Sequence, residues 1–388
     1  MVSTIVALDL GTTHIRGVEA DIKNGHPPKI KKIYSLPIES EIISSGEITN
    51  EEGLTKAIKK LWDEAKFKSK YVVAMAGGEA VDTRIQNDVP WSPPEDFKRL
   101  LPHYLKDTIL LDVDEEYYFD AHTLHEYYKL PESNDSFTLD DAKPVRYKTI
   151  MVAAVKQRFS DSLVRAVEAA GLRPYALDIL PMALIRSTAN SKDIPENASV
   201  VSIEIGGDLI TIVIHKNLQP IYLDSAPLLG GLRVTSEIAQ TLGITLQEAE
   251  LLKTSFSLNP EQRNELKTVV FGDDGSTTTI SYRNFTGTQK EQAAAVVARE
   301  VSNLVTHIGD IIEDAFSSTQ DAPFRIILSG GGAGLHTLLN RVQSELGIPT
   351  VILQPFENYD GRIEPEILAN QHIYASVFGL LVGQNEIK

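Results

Sequence analysis

The sequence contains no cysteine. Its absence excludes a disulfide framework, a thiolate nucleophile and a zinc or iron–sulfur site with cysteine ligands. No run of about 18 apolar residues occurs, so no transmembrane helix is expected, and the longest candidate, Ile373 to Val382, is predicted to be a core helix. The chain enters a strand-like run at once, with no basic stretch before it. We therefore expect a soluble, cytoplasmic protein without a signal peptide.

Basic residues are in the minority, since 37 Lys and Arg against 53 Asp and Glu give a net charge of −16. An acidic surface repels phosphate backbones and anionic headgroups, so neither nucleic-acid binding nor direct membrane insertion is expected. The sequence also has no Walker loop, no histidine pair at i, i+4 spacing and no serine-centred nucleophile elbow. These absences exclude P-loop chemistry and leave no sequence signal for a helical zinc site or a serine hydrolase.

What the chain does have is an ordinary globular composition and one repeated pattern. Of its 388 residues, 42% are hydrophobic and 23% are charged, which suits two or three domains. An acid, an apolar residue and a glycine stand between two strand-like runs at Asp9-Leu10-Gly11-Thr12, and again about half the chain later at Glu204-Ile205-Gly206-Gly207. This repetition predicts a duplicated α/β fold with a cleft between its halves.

The first motif has residue types suited to binding phosphate. A glycine in a tight turn lets backbone amides approach an anion, and the hydroxyls of Thr12 and Thr13 can add hydrogen bonds. Asp9 cannot attract phosphate, but it can hold a hydrated Mg²⁺ that is bound to one. Arg16 follows Asp9 by seven residues and can reach back to the phosphates. The alternative interpretation of Gly11 and its neighbours is an ordinary hairpin turn.

A third glycine-rich stretch, Ser329 to Gly334, follows a buried strand-like run and precedes a predicted helix. Its glycines leave room for a ligand against the backbone, and the alternative is a tight strand–helix turn. Glu250 and Lys253 lie three residues apart on one predicted helical face, where a solvated ion pair is the ordinary interpretation. Three histidines of the acidic middle region are interpreted as surface residues: His103, His122 and His125.

Helix-start signals predict several boundaries. Asn50 is expected to open a helix, and Thr245 with Glu248 forms a capping-box start. Thr288 with Glu291 is expected to cap a long helix that ends near residue 316. A further helix is expected over 335–346.

The region from 79 to about 148 differs from the rest of the chain in composition, since it contains several prolines, a cluster of tyrosines and many acidic residues. It is expected to be an inserted smaller domain with long surface loops, Ser133 to Asp141 especially. Thr268 to Tyr282 predicts a hairpin that turns near Asp274-Gly275.

In this order the three glycine motifs are similar to the phosphate-1, phosphate-2 and adenosine motifs of the superfamily that contains actin, sugar kinases and heat-shock chaperone ATPases. Within it the chain resembles the PilM family of type IV pilus assembly proteins, itself related to the division protein FtsA. The likeness covers nearly the whole chain and is carried by four stretches: VALDLGTTHIRGVEA, MVAAVKQRFSDSLVRAVEAAGLRPYALDILPMALIRS, PLLGGLRVTSEIAQTLGITLQEAELLK and ILSGGGAGLHTLLNRVQSELGIPTVILQPF. The second stretch separates the PilM and FtsA group from sugar kinases.

The resemblance implies an α/β, actin-like ATPase fold in which two lobes with a duplicated βα core surround a nucleotide cleft. It implies ATP and Mg²⁺ as ligands. The residues implied to contact phosphate are Asp9, Gly11, Thr12, Thr13 and Arg16, with Gly206 and Gly207 on the other side. Asp9 and Glu204 are implied to hold Mg²⁺ through water. Ribose or base would be contacted by Glu250 and Lys253, and the adenosine pocket would be lined by Gly331, Gly332 and Leu335.

The resemblance also implies a division of the chain. The expected parts are a lobe 1 core (1–78), an inserted subdomain of the FtsA/PilM type (79–176), a linking helix region (177–198), the first part of the lobe 2 core (199–229), a subdomain 2B (230–323), and the second part of the lobe 2 core with a C-terminal helix (324–388).

A partner is implied as well: a PilN-like inner-membrane protein whose short cytoplasmic N-terminal segment binds partly to the inserted subdomain, together with other pilus platform proteins. The protein would then associate peripherally with the inner face of the membrane. No catalytic residue is assigned beyond the candidate Glu204, which stands where the family usually has Asp. The extra methylene can displace the metal or its water, so any ATPase activity is expected to be weak or absent. Self-association stays open.

Two other functions stay open. An FtsA-like division or filament-forming protein belongs to the same group, although the last residues here do not form the basic amphipathic helix that ties FtsA to the membrane. A small-molecule kinase of the same superfamily would need a carboxylate over a substrate hydroxyl in the cleft, and the inserted subdomain argues against it.

Overall fold

The computed structural model describes residues 4–384 except for 24–25, 40, 94, 98, 102–114, 131–143, 190, 192, 228, 272–276, 318–320, 358 and 360. The strands of its first half are β1 (Thr4–Leu10), β2 (His14–Asp21), β3 (Lys29–Pro37), β4 (Ile43–Ser44), β5 (Glu47–Ile48), β6 (Tyr71–Ala76), β7 (Val81–Pro90), β8 (Tyr117–Lys129), β9 (Val145–Lys156) and β10 (Arg173–Ile179). Those of its second half are β11 (Ser199–Ile205), β12 (Leu209–Lys216), β13 (Gln219–Pro227), β14 (Lys267–Phe271), β15 (Thr277–Ser281), β16 (Pro323–Ser329) and β17 (Thr350–Ile352).

The α-helices whose bounds the structure describes are α1 (Glu51–Ala65), α2 (Gln157–Ala169), α3 (Leu180–Ser187), α4 (Gly231–Leu242), α5 (Leu246–Ser255), α6 (Pro260–Glu265), α7 (Gly287–Phe316), α8 (Leu338–Leu346), α9 (Pro365–Ala369) and α10 (Ala375–Gly383). No helix in the described part of the chain is long and apolar enough to cross a membrane.

Two five-stranded sheets have the same topology. The first has the order β3-β2-β1-β6-β10 and the second the order β13-β12-β11-β16-β17. In each, the first three strands are antiparallel neighbours and the last two run parallel to the central strand. The predicted duplication of the α/β core is confirmed, and the two acid-glycine motifs fall at the same point of each repeat.

The core of each lobe forms because apolar side chains of the central strands meet an amphipathic helix. In lobe 1, Leu54, Ile58 and Leu61 on one face of α1 are fully buried against the sheet. Asn50 caps this helix as predicted, its side chain accepting the Gly53 amide. In lobe 2, the long helix α7 lines the largest core cluster with a stripe that includes Val301.

A third sheet, with the order β7-β9-β8, forms the inserted part. Strand β9 is buried on both faces, because Ile150 and Val152 contact one small cluster while Met151 and Ala153 contact the lobe 1 core. The 13-residue strand β8 was not predicted, since its exposed tyrosines and acids give no alternation of apolar residues. Helix α2, which follows β9, packs on α1 in the lobe 1 core. The described strands of the third sheet (β7, β8 and β9) therefore occupy only part of the expected range 79–176.

Helices α3 and α10 cross between the lobes. Helix α3 leaves the lobe 1 sheet yet packs Leu184 and Ile185 on Val213 of lobe 2. Helix α10 comes from lobe 2 yet packs Val377 on the lobe 1 strands. The two helices touch backbone to backbone at Gly379, where any Cβ would overlap the carbonyl oxygen of Ala183.

Several predicted boundaries are corrected. The cap of α7 is Thr286 with Gln289, and the expected pair Thr288 and Glu291 is wrong, because capping at 286 places Phe285 in the buried core. The helix expected over 335–346 begins only at Leu338, after a short 3₁₀ turn over 331–334.

Other boundary predictions are confirmed. The capping box of Thr245 with Glu248 and the core helix near the C-terminus are as predicted, and strands β14 and β15 form the predicted hairpin. The expected turn at Asp274-Gly275, the loop 133–141 and His103 lie outside the described residues.

Candidate functional site

The first motif forms the turn between β1 and β2. The Gly11 amide donates to the carbonyl oxygen of His14 at 3.1 Å, and a Cβ on this glycine would meet that oxygen at 2.8 Å. Glycine is therefore required to close the turn. The amides of Thr12 and Thr13 make no hydrogen bond to any group that the structure describes. They are the donors that remain for an anion.

The second motif repeats this geometry between β11 and β12. The Gly206 amide donates to the carbonyl oxygen of Leu209 at 2.9 Å. The carbonyl oxygens of Gly206 and Gly207 in turn accept the Gly231 and Leu232 amides at the start of α4, at 2.9 and 2.6 Å. The first turn of α4 thus fixes the second motif in place.

The two turns meet at the floor of the cleft. A Cβ on Gly207 would lie 3.3 Å from Cβ of Thr12 and 3.5 Å from Cγ2 of Thr13. The structure therefore brings together the residues of the two motifs, which are separated by half the chain, and a side chain at position 207 would fit only tightly against Thr12.

Two acids lie at equivalent positions of the two repeats. Asp9 is paired in register with Arg16, and its carboxylate accepts from Nη1 of that arginine at 3.0 Å. Burial raises the pKa of Asp9, against the opposing effect of Arg16. Burial and the nearby carboxyl group of Asp9 raise the pKa of Glu204 to about 7. Two buried carboxyl groups, one of which raises the pKa of the other, suit a shared divalent cation.

The chemistry of this donor set fits a cation that keeps most of its water. Within the described ranges no group of three or more His, Asp or Glu side chains is placed to hold a metal ion. Mg²⁺ commonly takes one or two carboxylates and completes its shell with water and phosphate oxygens. Nε of Arg16 is buried without a hydrogen-bond partner, so this guanidinium retains a donor for an anion.

Asp208, directly after the second motif, bridges the two lobes. Its Oδ1 accepts the hydroxyl of Thr12 at 2.9 Å, and its Oδ2 accepts the backbone amide of Ser45 at 2.5 Å. Both donors belong to lobe 1. Sequence reasoning missed Asp208, and the only signal was an acid placed next to a phosphate-type motif.

The third motif lies beside the second. A Cβ on Gly330 would lie 2.6 Å from the carbonyl oxygen of Ile205 and 2.9 Å from Cγ of Glu204, and its φ is +78°. This glycine makes room for the Glu204 side chain. Gly331 is exposed with open space around it, whereas Gly332 is buried against Ile205.

Leu335, which the resemblance places in the adenosine pocket, is partly buried and packs on the lobe 2 core.

Glu250 and Lys253 lie together on α5. Nζ of Lys253 contacts Oε2 of Glu250 at 2.7 Å and also donates to the Gly231 carbonyl and the Thr235 hydroxyl. Lys253 is only 12% exposed, while Glu250 is 48% exposed. Lys253 therefore ties α5 to the start of α4, and Glu250 presents its carboxylate to solvent.

Two histidines of the cleft were missed by sequence reasoning. Burial and the Arg16 guanidinium lower the pKa of His14 to about 4, opposed by Glu250 of the other lobe. Burial and Arg16 also lower the pKa of His372, whose carbonyl oxygen accepts the Gly330 amide. Both imidazoles are therefore neutral near pH 7. His14 is part of the first motif, so its position was available from the sequence.

A groove of about 420 Å³ lies apart from Gly11 and Gly206 of the two motif turns, where the inserted sheet meets both lobes. Its walls come from the turns around Ser45 and Gly78, from β7–β9 of the insert, and from Leu209 and β13 of lobe 2. Its charged residues are Glu79, Asp82, Arg84, Lys156 and Asp224. Arg84 is paired with Asp82 at 3.0 Å, and Lys156 with Glu47 at 2.5 Å.

Comparison with known proteins agrees with this architecture. Residues 201–379 match the family described as cell division protein FtsA. A solved PilM–PilN type IV pilus biogenesis complex contains a chain that is 21% identical, with a TM-score of 0.77 over 100% of this chain and 99% of that chain.

Two further structures are more distant. The ethanolamine utilization protein EutJ from Carboxydothermus hydrogenoformans is 13% identical, with a TM-score of 0.52 over 98% of this chain and 90% of that one. MreB 5 of Spiroplasma citri bound to AMPPNP is 12% identical, with a TM-score of 0.50 over 100% and 97%. The chain has the actin-like ATPase fold, as its sequence motifs predicted.

Proposed function

We propose that this protein is an actin-like, nucleotide-binding component of a type IV pilus assembly machinery that docks the cytoplasmic N-terminal segment of a PilN-like inner-membrane protein. The observation that carries the proposal is the match of the entire chain to the PilM–PilN complex structure, with a TM-score of 0.77. The inserted three-stranded sheet lies within that matched length.

The proposed ligand of the cleft is ATP with Mg²⁺. Thr12 and Thr13 would donate their amides to phosphate, and Arg16 would add charge. Asp9 and Glu204 would hold Mg²⁺ through its water, and the metal would neutralise phosphate charge. Gly206 and Gly207 would close the site from the lobe 2 side.

The third motif and α5 would bind the nucleoside. Gly331 offers an open backbone surface and Glu250 an exposed carboxylate for ribose or base. These contacts would be held in place by Gly332, Leu335 and Lys253, since each of them packs or hydrogen-bonds within lobe 2.

The proposed docking site for the partner segment is the groove between the insert and the lobes. Its carboxylates Glu79 and Asp224 have no ion pair among the residues that the structure describes. Two unpaired carboxylates in a groove favour a segment that carries a basic residue. Docking there would bring the protein to the inner face of the membrane through its partner.

Calorimetric titration with the cytoplasmic N-terminal peptide of the PilN-like protein encoded beside it tests the proposal. Saturable binding is expected, weakened at least about tenfold by Asp224→Lys, because a like charge then faces the basic residue. Glu265→Lys makes the same charge change at an exposed end of α6 and is expected to leave binding unchanged. No binding of the peptide by the wild-type protein would refute the proposed partner.

A second candidate function is an FtsA-like, filament-forming role, which the FtsA family match over 201–379 favours. Nucleotide-dependent sedimentation separates the two. Polymers that form with Mg-ATP while the peptide fails to bind would support this second function.

A further inference from the structure

Three tight turns meet between the cleft and the groove. They are the β4–β5 turn at Ser45-Gly46, the turn at Gly77-Gly78 after β6, and the Asp208-Leu209 step before β12. We call these six residues the junction. It joins lobe 1 to lobe 2, and three of its members, Ser45, Gly78 and Leu209, also line the groove.

The backbone segments of the junction are closely packed against one another. A Cβ on Gly46 would overlap the carbonyl oxygen of Gly77, and both Gly46 and Gly78 have positive φ. A Cβ on Gly78 would come within 2.5 Å of Cδ2 of Leu209. The Ser45 carbonyl oxygen accepts the Glu79 amide at 2.8 Å, which connects the turn to the start of the inserted sheet.

One side chain connects the junction to the first motif. Asp208 accepts the Thr12 hydroxyl with one oxygen and the Ser45 amide with the other. A hydroxyl has one proton, so Thr12 cannot donate to Asp208 and to a phosphate oxygen together. A polyphosphate against the Thr12 and Thr13 amides also places negative charge beside this carboxylate.

We propose that Asp208 is the positioning residue through which nucleotide binding reshapes the groove. This inference rests on the proposed function, since it needs a nucleotide in the cleft. Phosphate takes the Thr12 hydroxyl and repels the Asp208 carboxylate, which then withdraws from the Ser45 amide. Ser45 and Glu79 shift together because they are hydrogen-bonded, and the mouth of the groove changes shape. Nucleotide and partner segment thereby alter one another's affinity by the same factor.

Hydrogen exchange of the full-length protein tests the inference without the partner. Addition of Mg-ATP is expected to speed exchange of the Ser45 amide, which loses its Asp208 acceptor. In Asp208→Ala, the Ser45 amide is expected to exchange fast before nucleotide is added and to show no further change. Asp208→Ala should also bind Mg-ATP about tenfold more tightly, because a competing charged hydrogen bond contributes ~1.5 kcal/mol.

Two further variants control for charge and folding. Asp63→Ala removes one negative charge from the exposed face of α1 without touching Thr12 or Ser45, and it is expected to respond to Mg-ATP as the wild type does. Asp208→Asn keeps an acceptor for Thr12 and replaces Asp208→Ala if that variant does not fold. Its Mg-ATP affinity is expected to lie between those of the wild type and Asp208→Ala.

The outcomes separate this inference from the proposed function. A wild type that binds Mg-ATP with unchanged exchange at Ser45, or an Asp208→Ala protein that behaves as the wild type, overturns the inference alone. A wild type that binds no Mg-ATP overturns both. If Mg-ATP speeds exchange at Ser45 but the protein does not bind the peptide, the role of Asp208 is supported and the proposed partner is refuted.

Discussion

Asp9 and Glu204 lie at equivalent positions on the central strands of the two lobes, and the Asp9 carboxyl group raises the pKa of Glu204. Asp9 is balanced by Arg16 at 3.0 Å, whereas the position paired in register with Glu204 holds Thr211. The repeat is therefore symmetric in its backbone and asymmetric in its charge. Lobe 1 carries the Arg16 guanidinium, whereas lobe 2 carries the Glu204 carboxyl group, whose pKa is about 7.

Asp9→Ala is expected to abolish Mg²⁺-dependent retention of nucleotide while the fold stays intact. Loss of a group that holds a metal or its water typically lowers affinity about 10- to 100-fold. Calorimetry with ATP, with and without Mg²⁺, measures the effect. Asp63→Ala on the exposed face of α1 is the matched control and should bind as the wild type does. An unchanged ATP affinity in Asp9→Ala would refute the assignment of the site.

Mg-ATP affinity is expected to rise between pH 6 and 8. With its pKa near 7, Glu204 is mostly protonated at the lower pH and mostly ionised at the higher one. Since a metal competes with the proton, affinity should increase by up to about tenfold over this range. Glu204→Gln should flatten the profile, and Glu265→Gln, far out on α6, should not. A wild-type profile as flat as that of Glu204→Gln would contradict the prediction.

Stability is expected to fall as the pH drops from about 6.5 to about 4, in part because of His215. This residue is 2% exposed, its Nε2 lies 3.1 Å from Oγ of Ser202, and burial lowers its pKa to about 4. The unfolded chain binds the proton in that window and the folded protein does not, so stability is complete above the unfolded pKa and is lost toward the folded one. The loss should reach about 3 kcal/mol.

Urea unfolding at a series of pH values measures this loss. His215→Gln keeps a polar side chain at the site and should remove that part of the pH dependence. His26→Gln, an exposed histidine, should retain the full wild-type slope. Equal slopes for the wild type and His215→Gln would show that other groups dominate acid unfolding.

Gly379→Ala is expected to destabilise the protein by at least about 2 kcal/mol, because overpacking at a fixed backbone contact forces the structure apart. The new methyl group would overlap the Ala183 carbonyl oxygen. Gly287→Ala at the start of α7 has open space around it and should stabilise by about 0.5 kcal/mol or have no effect. Denaturant midpoints of the two variants give the comparison. Similar midpoints would mean that α3 and α10 separate easily.

Much of this architecture was predictable from the sequence, because its signals are local. The repeated acid-glycine motifs, the apolar strands around them and the cap of α1 each depend on a few neighbouring residues. The start of α7 was not decided in this way, because Thr286 and Thr288 both fit a capping pattern. Burial of Phe285 in the core makes the choice, and that is a tertiary effect.

The most informative contact of the cleft was not predictable. The bond from Thr12 to Asp208 joins residues 196 apart, and the bond from Ser45 to Asp208 joins residues 163 apart. No periodicity or spacing marks such pairs in a single sequence. Strand β8 was missed for a different reason, since its outward face carries tyrosine and charge, and only its pairing with β9 holds it extended.

The crossing of α3 and α10 determines how the two lobes are able to move. Because Gly379 rests directly on the backbone of Ala183, no flexible side chain separates the helices to absorb sliding. Each helix is also anchored in the lobe opposite to the one it comes from. Relative motion of the lobes is therefore expected to be a rotation about this contact rather than a sliding of one helix along the other.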